Sequence, residues 1–236
     1  MCSILYRLQS SGKFVINTVC DFFALFQSFT GYSGKNEVRA ICPVRNMIWM
    51  GTITGTIVVF RAPTLKTKFA GKLTRTANNP DKSVILDIQH IPETSSILIS
   101  KENGEIWSLR DKIIHGRLQV ENPIFQLEHS PCFHMVKVKV EGSIEVWGTM
   151  ENNRVLLLER QQTGWSMSEL VADPKDHRLQ QCFYIIHTSF TGKDGSELSH
   201  VWISYKDKSL LVSFDAKARK QRCILNCADQ LRTSKN

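Results

Sequence analysis

Four times along the chain an apolar run ends on a small residue, passes through a short polar turn and resumes as a second apolar run. The first copy reads Ile48-Trp49-Met50-Gly51-Thr52, then Ile53-Thr54-Gly55-Thr56, then Ile57-Val58-Val59-Phe60. The second runs from Ile97-Leu98-Ile99-Ser100 through 101–104 to Glu105-Ile106-Trp107-Ser108-Leu109. The third is Val146-Trp147-Gly148-Thr149, then 150–153, then Arg154-Val155-Leu156-Leu157-Leu158. The fourth is Val201-Trp202-Ile203-Ser204-Tyr205, then 206–208, then Ser209-Leu210-Leu211-Val212-Ser213-Phe214. Apolar runs of this length, rich in β-branched and aromatic residues and bounded by turn residues, predict β-hairpins. Asn103-Gly104 and Asn152-Asn153 suit turns that need positive φ.

The small residues at 51, 100, 148 and 204 lie 49, 48 and 56 residues apart. A repeat of about 40–50 residues is the length of one four-stranded propeller blade. The flanking segments supply the remaining strands. First strands are expected over 38–44, 83–91, 132–140 and 182–190, where Val136, Val138 and Val140 alternate with lysines. Outer strands are expected over 66–73, 116–121, 165–172 and 220–227, which carry more charge because they are less enclosed. Trp49, Trp147 and Trp202 recur in the second strand and Trp107 falls in the third, so burial between blades is the expectation for all four.

Residues 4–8 and 14–19 read as one further hairpin, and 20–29 as a short helix or connection whose Phe22, Phe23, Leu25 and Phe26 want burial. The expected organisation is therefore an N-terminal hairpin and connecting segment over 1–36, a four-blade region over 37–229 and a tail over 230–236. The fold class is all-β, a β-propeller of about four four-stranded blades. Propellers close with about four to eight blades, so the chain either closes as a small propeller or forms an incomplete arc of a larger one, and the arc is the preferred reading.

The repeats are WD40-like, although no Gly-His or Trp-Asp dipeptide occurs and the nearest match is Phe214-Asp215. Tyr32-Ser33-Gly34 with Val38-Arg39-Ala40-Ile41-Cys42 and Met47-Ile48-Trp49-Met50-Gly51-Thr52 resembles a blade of the C-terminal propeller of Roco-family leucine-rich repeat kinases. Leu211 to Asp215, running through to Cys223-Ile224-Leu225-Asn226-Cys227, is a second similar stretch, with Ala216 where that family carries a cysteine. The I-W-hydrophobic-G-T strand is also shared with propellers of Rho guanine-nucleotide exchange factors and DENN-domain proteins, and 58–73 resembles the former. The Roco resemblance implies a C-terminal interaction and dimerisation module of a multidomain signalling protein. Any kinase or GTPase chemistry would lie in other domains.

Composition changes this picture little. Hydrophobic residues make up 42% and charged residues 22%, ordinary for a globular chain. Seven cysteines in no framework spacing, no N-x-S/T acceptor and no signal-peptide layout fit reduced thiols in the cytoplasm. No uncharged apolar run approaches the roughly 18 residues of a membrane span.

Chemical motifs are scarce. No GxxxxGK loop, no GxGxxG opening a helix and no GxSxG elbow occurs, and Asp21-Phe22-Phe23 lacks both the glycine and the catalytic loop of a kinase. Cys132, His134, Cys182, His187, Cys223 and Cys227 contain only one loose cysteine pair, so core packing is expected for them rather than a metal site. No cofactor and no catalytic residue is expected. The competing reading is a propeller enzyme with a central-channel site, but the first-strand starts Val38, Ser83, Cys132 and Cys182 form no catalytic set.

Charge supplies the one binding feature. With 30 Lys and Arg against 22 Asp and Glu, the chain carries +8. Arg61, Lys66, Lys68, Lys72 and Arg75 gather after the first hairpin, and Lys217, Arg219, Lys220 and Arg222 gather after the fourth. Two basic clusters at equivalent repeat positions predict a positive rim for proteins with acidic surfaces; Lys and Arg on outer strands also serve as edge protection. A second copy of the chain and an anionic membrane surface are further candidate partners. Nucleic acid is not expected, since the aromatic residues that stacking needs are assigned to the core. Recognition is expected on loops, chiefly over 62–82 and 191–200.

Overall fold

A computed structural model describes residues 37–62, 64, 66–73, 83–118, 123–128, 130–151, 154–171, 182–191, 197–205 and 210–226. The expected N-terminal hairpin, the connecting segment and the C-terminal tail lie outside these residues.

Each repeat folds as one four-stranded antiparallel sheet. Blade 1 is built from β1 (Val38–Val44), β2 (Met47–Thr52), β3 (Thr56–Arg61) and β4 (Thr67–Lys72), hydrogen-bonded in that order. Blade 2 contains β5 (Ile85–Ile91), β6 (Ser96–Lys101) and β7 (Glu105–Arg110). A two-stranded hairpin of β8 (Ile113–Ile114) and β9 (Arg117–Leu118) follows, and β10 (Pro123–Gln126) is the outer strand of blade 2. Blade 3 is β11 (His134–Val140), β12 (Ser143–Thr149), β13 (Arg154–Arg160) and β14 (Trp165–Val171). Blade 4 is β15 (Cys182–Thr191), β16 (Glu197–Tyr205), β17 (Leu210–Asp215) and β18 (Lys220–Asn226).

One expected strand is displaced. The outer strand of blade 2 is β10, not 116–121. His115 and Gly116 both have positive φ, 50° and 71°, and fold 113–118 into the β8–β9 hairpin before the outer strand can start. Register of β10 is set at the other end by Gly104. Its φ is +82° and a Cβ there would stand 2.5 Å from the Leu127 carbonyl oxygen, so only glycine admits this approach. The Leu127 amide donates to the Gly104 carbonyl at 2.9 Å, and Gln126 Nε2 donates to the Asn103 carbonyl at 2.8 Å.

The inner strands are apolar on the faces that meet a neighbouring sheet, and in blades 2 and 3 both faces do so. Between blades 1 and 2 lie Trp49, Ile57, Val59, Ile88, Ile97, Ile99 and Trp107. Blades 2 and 3 share Ile91, Leu98, Ile106, Met135, Val146, Leu156 and Leu158. Blades 3 and 4 share Val138, Trp147, Val155, Leu157, Ile185, Val201, Ile203 and Phe214. Among the described residues no cluster joins blade 4 to blade 1, so the four sheets form an arc.

Polar side chains bridge each interface. Asp87, buried on β5, accepts from the Met135 amide of blade 3 at 2.6 Å and from the Ile88 amide at 2.8 Å. Lys101, fully buried, donates to the Leu73 carbonyl at 3.4 Å and to Glu105 Oε2 at 3.1 Å. Arg219 of blade 4 reaches back to Glu145 Oε1 at 2.7 Å and Glu159 Oε2 at 3.1 Å in blade 3. Geometric fit is equally close at Gly51, where a Cβ would stand 2.4 Å from Ile85 Cγ2 across the first interface. Gly51→Ala should therefore destabilise the chain by about 1–3 kcal/mol through overpacking, read as an earlier urea midpoint.

Candidate functional site

Three tryptophans occupy the same place in the second strand, and the structure separates them by what they meet. Trp49 faces blade 2, and Trp147 faces blade 4; both are completely buried. Trp202 pairs with Ile186 and Ser213 across its sheet, while its strand neighbours Val201 and Ile203 point into the blade 3 interface. Trp202 thus turns to the far side of blade 4, where it is only half-buried. The expected burial of all four tryptophans holds for Trp49, Trp107 and Trp147 but not for Trp202, because no described sheet follows blade 4.

Around Trp202 the far face carries apolar side chains in the open. Ile186 is 36% exposed, Leu198 38% and Phe190 51%. Phe190 stacks on His200 with ring centroids 5.6 Å apart and an interplanar angle of 8°, and His200 stacks on Trp202 at 6.1 Å. The Trp202 indole N–H donates to Thr188 Oγ1 at 3.0 Å, and His200 Nδ1 shares a 3.1 Å hydrogen bond with Ser213 Oγ. These bonds fix the ring ladder in orientation. Cys223 pairs with Ser213 and is exposed, which corrects its assignment to the core. Cys132 is buried as expected, Cys42 is buried as well, and the side chains of Cys182 and Cys227 lie outside the described residues. Among the described residues no group of three or more His, Cys, Asp or Glu could hold a metal ion.

The two basic clusters are built differently. Lys217 pairs with Glu141, Arg219 with Glu145 and Glu159, and Arg222 with Asp215. The Ala218 amide and the Arg222 guanidinium hold Asp215 below the usual carboxylate range. Three of these four cations therefore meet carboxylates of blades 3 and 4, and Lys220 stays exposed on β18. In the first cluster Arg61, Lys66 and Lys68 are exposed and Lys72 is half-buried, while Arg75 lies outside the described residues. Arg61 and Lys68 line a cleft of about 660 Å³ together with Arg45, Asp111 and Lys112. The turns β1–β2 and β3–β4 form one wall, and the residues after β7 form the other.

Arg45, Lys112 and Asp111 carry the cleft and were not singled out by sequence. Arg45 sits in a turn at φ 55°. Its Nη2 contacts Asp111 Oδ2 at 3.1 Å and Ser95 Oγ at 3.3 Å. Asp111 is fully buried; Oδ2 also meets His90 Nε2 at 3.2 Å, and Oδ1 has no partner. Of the expected loops 62–82 and 191–200, residues 63, 65, 74–82 and 192–196 lie outside the described residues, and the described remainder includes β4 and the start of β16.

No protein-family description matches this chain, and no curated protein matches it. Among solved structures, the chain is similar to the β-propeller domain of Cps50 (Swd1) from Myceliophteria thermophila, with a TM-score of 0.50 and 14% identity. The match covers 84% of this chain and 56% of that domain, so the chain spans little more than half the propeller it resembles. At that identity the likeness establishes a WD40-type propeller fold.

Proposed function

We propose that this chain is a non-catalytic protein-interaction module whose main contact surface is the far face of blade 4. The observation that carries the reading is Trp202: it stands where Trp49 and Trp147 stand, on the side where those residues meet the next sheet, and no described sheet covers it. Exposed apolar side chains grouped on one rigid face mark an interaction site more often than scattered ones do. The occupant that fits is another apolar β-sheet face, packed as the blades of this chain pack on one another. In a solution of the chain alone, that occupant is a second copy using the same face, an isologous contact.

Light scattering across a concentration series tests this. The mass should rise from monomer towards dimer as concentration rises, and Phe190→Glu with Leu198→Glu should hold the chain monomeric with its fold intact by circular dichroism. A wild-type chain that stays monomeric throughout and binds no apolar dye would overturn the reading.

The resemblance of residues 32–52 and 211–227 to Roco-family propellers supports placing this module in the C-terminal part of a multidomain cytoplasmic signalling protein. In that setting the propeller scaffolds partners while chemistry resides elsewhere.

A further inference from the structure

We propose that the cleft between blades 1 and 2 binds a short acidic peptide segment of a partner protein, with carboxylates on Arg45, Arg61, Lys68 and Lys112. This deepens the interaction-module reading and rests on it, but uses a surface separate from the far face of blade 4.

Four cations from the β1–β2 turn, the end of β3, the start of β4 and the segment after β7 converge on one concavity, whereas three of the four cations after the fourth hairpin meet carboxylates of their own chain. Among the described residues lining the cleft only Asp111 offsets them, and it is buried beneath Arg45 rather than spread along the rim. Its effect is to position: both contacts of Arg45 use Nη2, which leaves the other N–H donors of the guanidinium for a ligand carboxylate. A guanidinium held in advance loses less freedom on binding than one that must be ordered.

Two further features select a peptide over other polyanions. The cleft also contains Met47, Ile113 and Ile114, with Ile114 44% exposed, so an apolar side chain beside the carboxylates has a surface to cover. Asp111 also lines the cleft, which places a carboxylate beside the cations. A peptide backbone brings N–H donors as well as carboxylates. A nucleic acid backbone brings acceptors, and among the described residues no aromatic ring lines the cleft for its bases to stack on.

The test uses the full chain. Displayed randomised short peptides are selected on it, and the enriched sequences are synthesised and measured by fluorescence anisotropy. Enriched peptides should combine Asp or Glu with a large apolar residue, and binding should weaken with salt. The Lys68→Glu/Lys112→Glu variant should lose about tenfold or more in affinity, since like charges then face the ligand. Lys220→Glu, an exposed charge reversal outside the cleft, should bind within about twofold of wild type, because a distant exposed charge is largely screened. Single-stranded DNA should compete poorly.

Four results would overturn the proposal: enriched peptides without acidic excess, full affinity in the cleft variant, equal loss in Lys220→Glu, or efficient competition by single-stranded DNA. Efficient competition by DNA would reassign the cleft to nucleic acid. Peptides that bind regardless of the cleft variant would leave the interaction-module reading standing while removing the cleft from it.

Discussion

Glu105→Ala is expected to destabilise the protein by about 3–5 kcal/mol, the scale seen when one member of a buried ion pair is removed. Glu105 Oε2 accepts from Lys101 Nζ at 3.1 Å and from the Trp107 indole N–H at 2.9 Å. Lys101 is fully buried, and its ammonium also lies 5.8 Å from the Trp107 ring centroid. Removing the carboxylate strips this ammonium of its counter-charge inside the first inter-blade interface. Replacing both partners, as Lys101→Met/Glu105→Leu, should recover most of the loss, because the desolvation of two charges disappears with them. Urea denaturation of the three variants checks both statements.

The same carboxylate gives the effect a pH signature. Burial tends to raise its pKa, but the hydrogen bonds from Trp107 and Lys101 outweigh burial and hold Glu105 below the ordinary glutamate value of 4.5. A lowered folded pKa means stability that is complete above the unfolded value and lost as pH falls through the folded one. The gap between wild type and Glu105→Gln should therefore be constant near neutrality and shrink below about pH 4.5. A gap that widened in acid would contradict this assignment.

Trp147→Ala should cost about 3–5 kcal/mol, whereas Trp202→Ala should cost less than about 1 kcal/mol in the isolated chain. Trp147 is completely buried, meets Phe214 edge-on at 5.9 Å and donates to Glu145 Oε2 at 2.8 Å. Its removal opens a cavity in the third interface and leaves Glu145 Oε2, in a nearly inaccessible side chain, without its donor. Trp202 occupies the matching position but is only half-buried, with no described sheet where Trp147 has one. Thermal denaturation of the two variants should show this contrast. The ranking should narrow at concentrations where the far face of blade 4 is covered, since Trp202 then acquires a packed neighbour.

The residues explain which parts of this fold were legible. The hairpins stood out because the interfaces between blades bury their apolar side chains, which writes apolar runs bounded by turn residues into the sequence. First strands were nearly as clear, and β1 matches its expected range residue for residue. Outer strands have one neighbour and mixed composition, as in β14 with its pattern of mostly exposed residues. The outer strand of blade 2 was misplaced for that reason, with 113–118 diverted into a hairpin by two residues of positive φ. Charge was legible as density but not as pairing: Lys217, Arg219 and Arg222 read as a patch, yet their partners lie up to 76 residues away, at Glu141, Glu145, Glu159 and Asp215. A usable signal was present. Asp111, Glu159 and Asp215 each fall 11 residues after the small residue of their repeat, and each pairs with an arginine.

Because every described blade touches only the one before and the one after it, the arc behaves as a row of coupled units rather than as one indivisible core. Its resistance to opening is then graded by position. Blades 2 and 3 are clamped on both sides, and blade 4 is held on one side, by the core layer around Trp147 and Phe214 and by the bridges of Lys217 and Arg219 to blade 3. Amide protons of β16 and β17 should consequently exchange with deuterium ahead of those in β6 and β12. A chain pulled from its C-terminal end should lengthen in separate steps, blade 4 peeling away first while the rest keeps its shape.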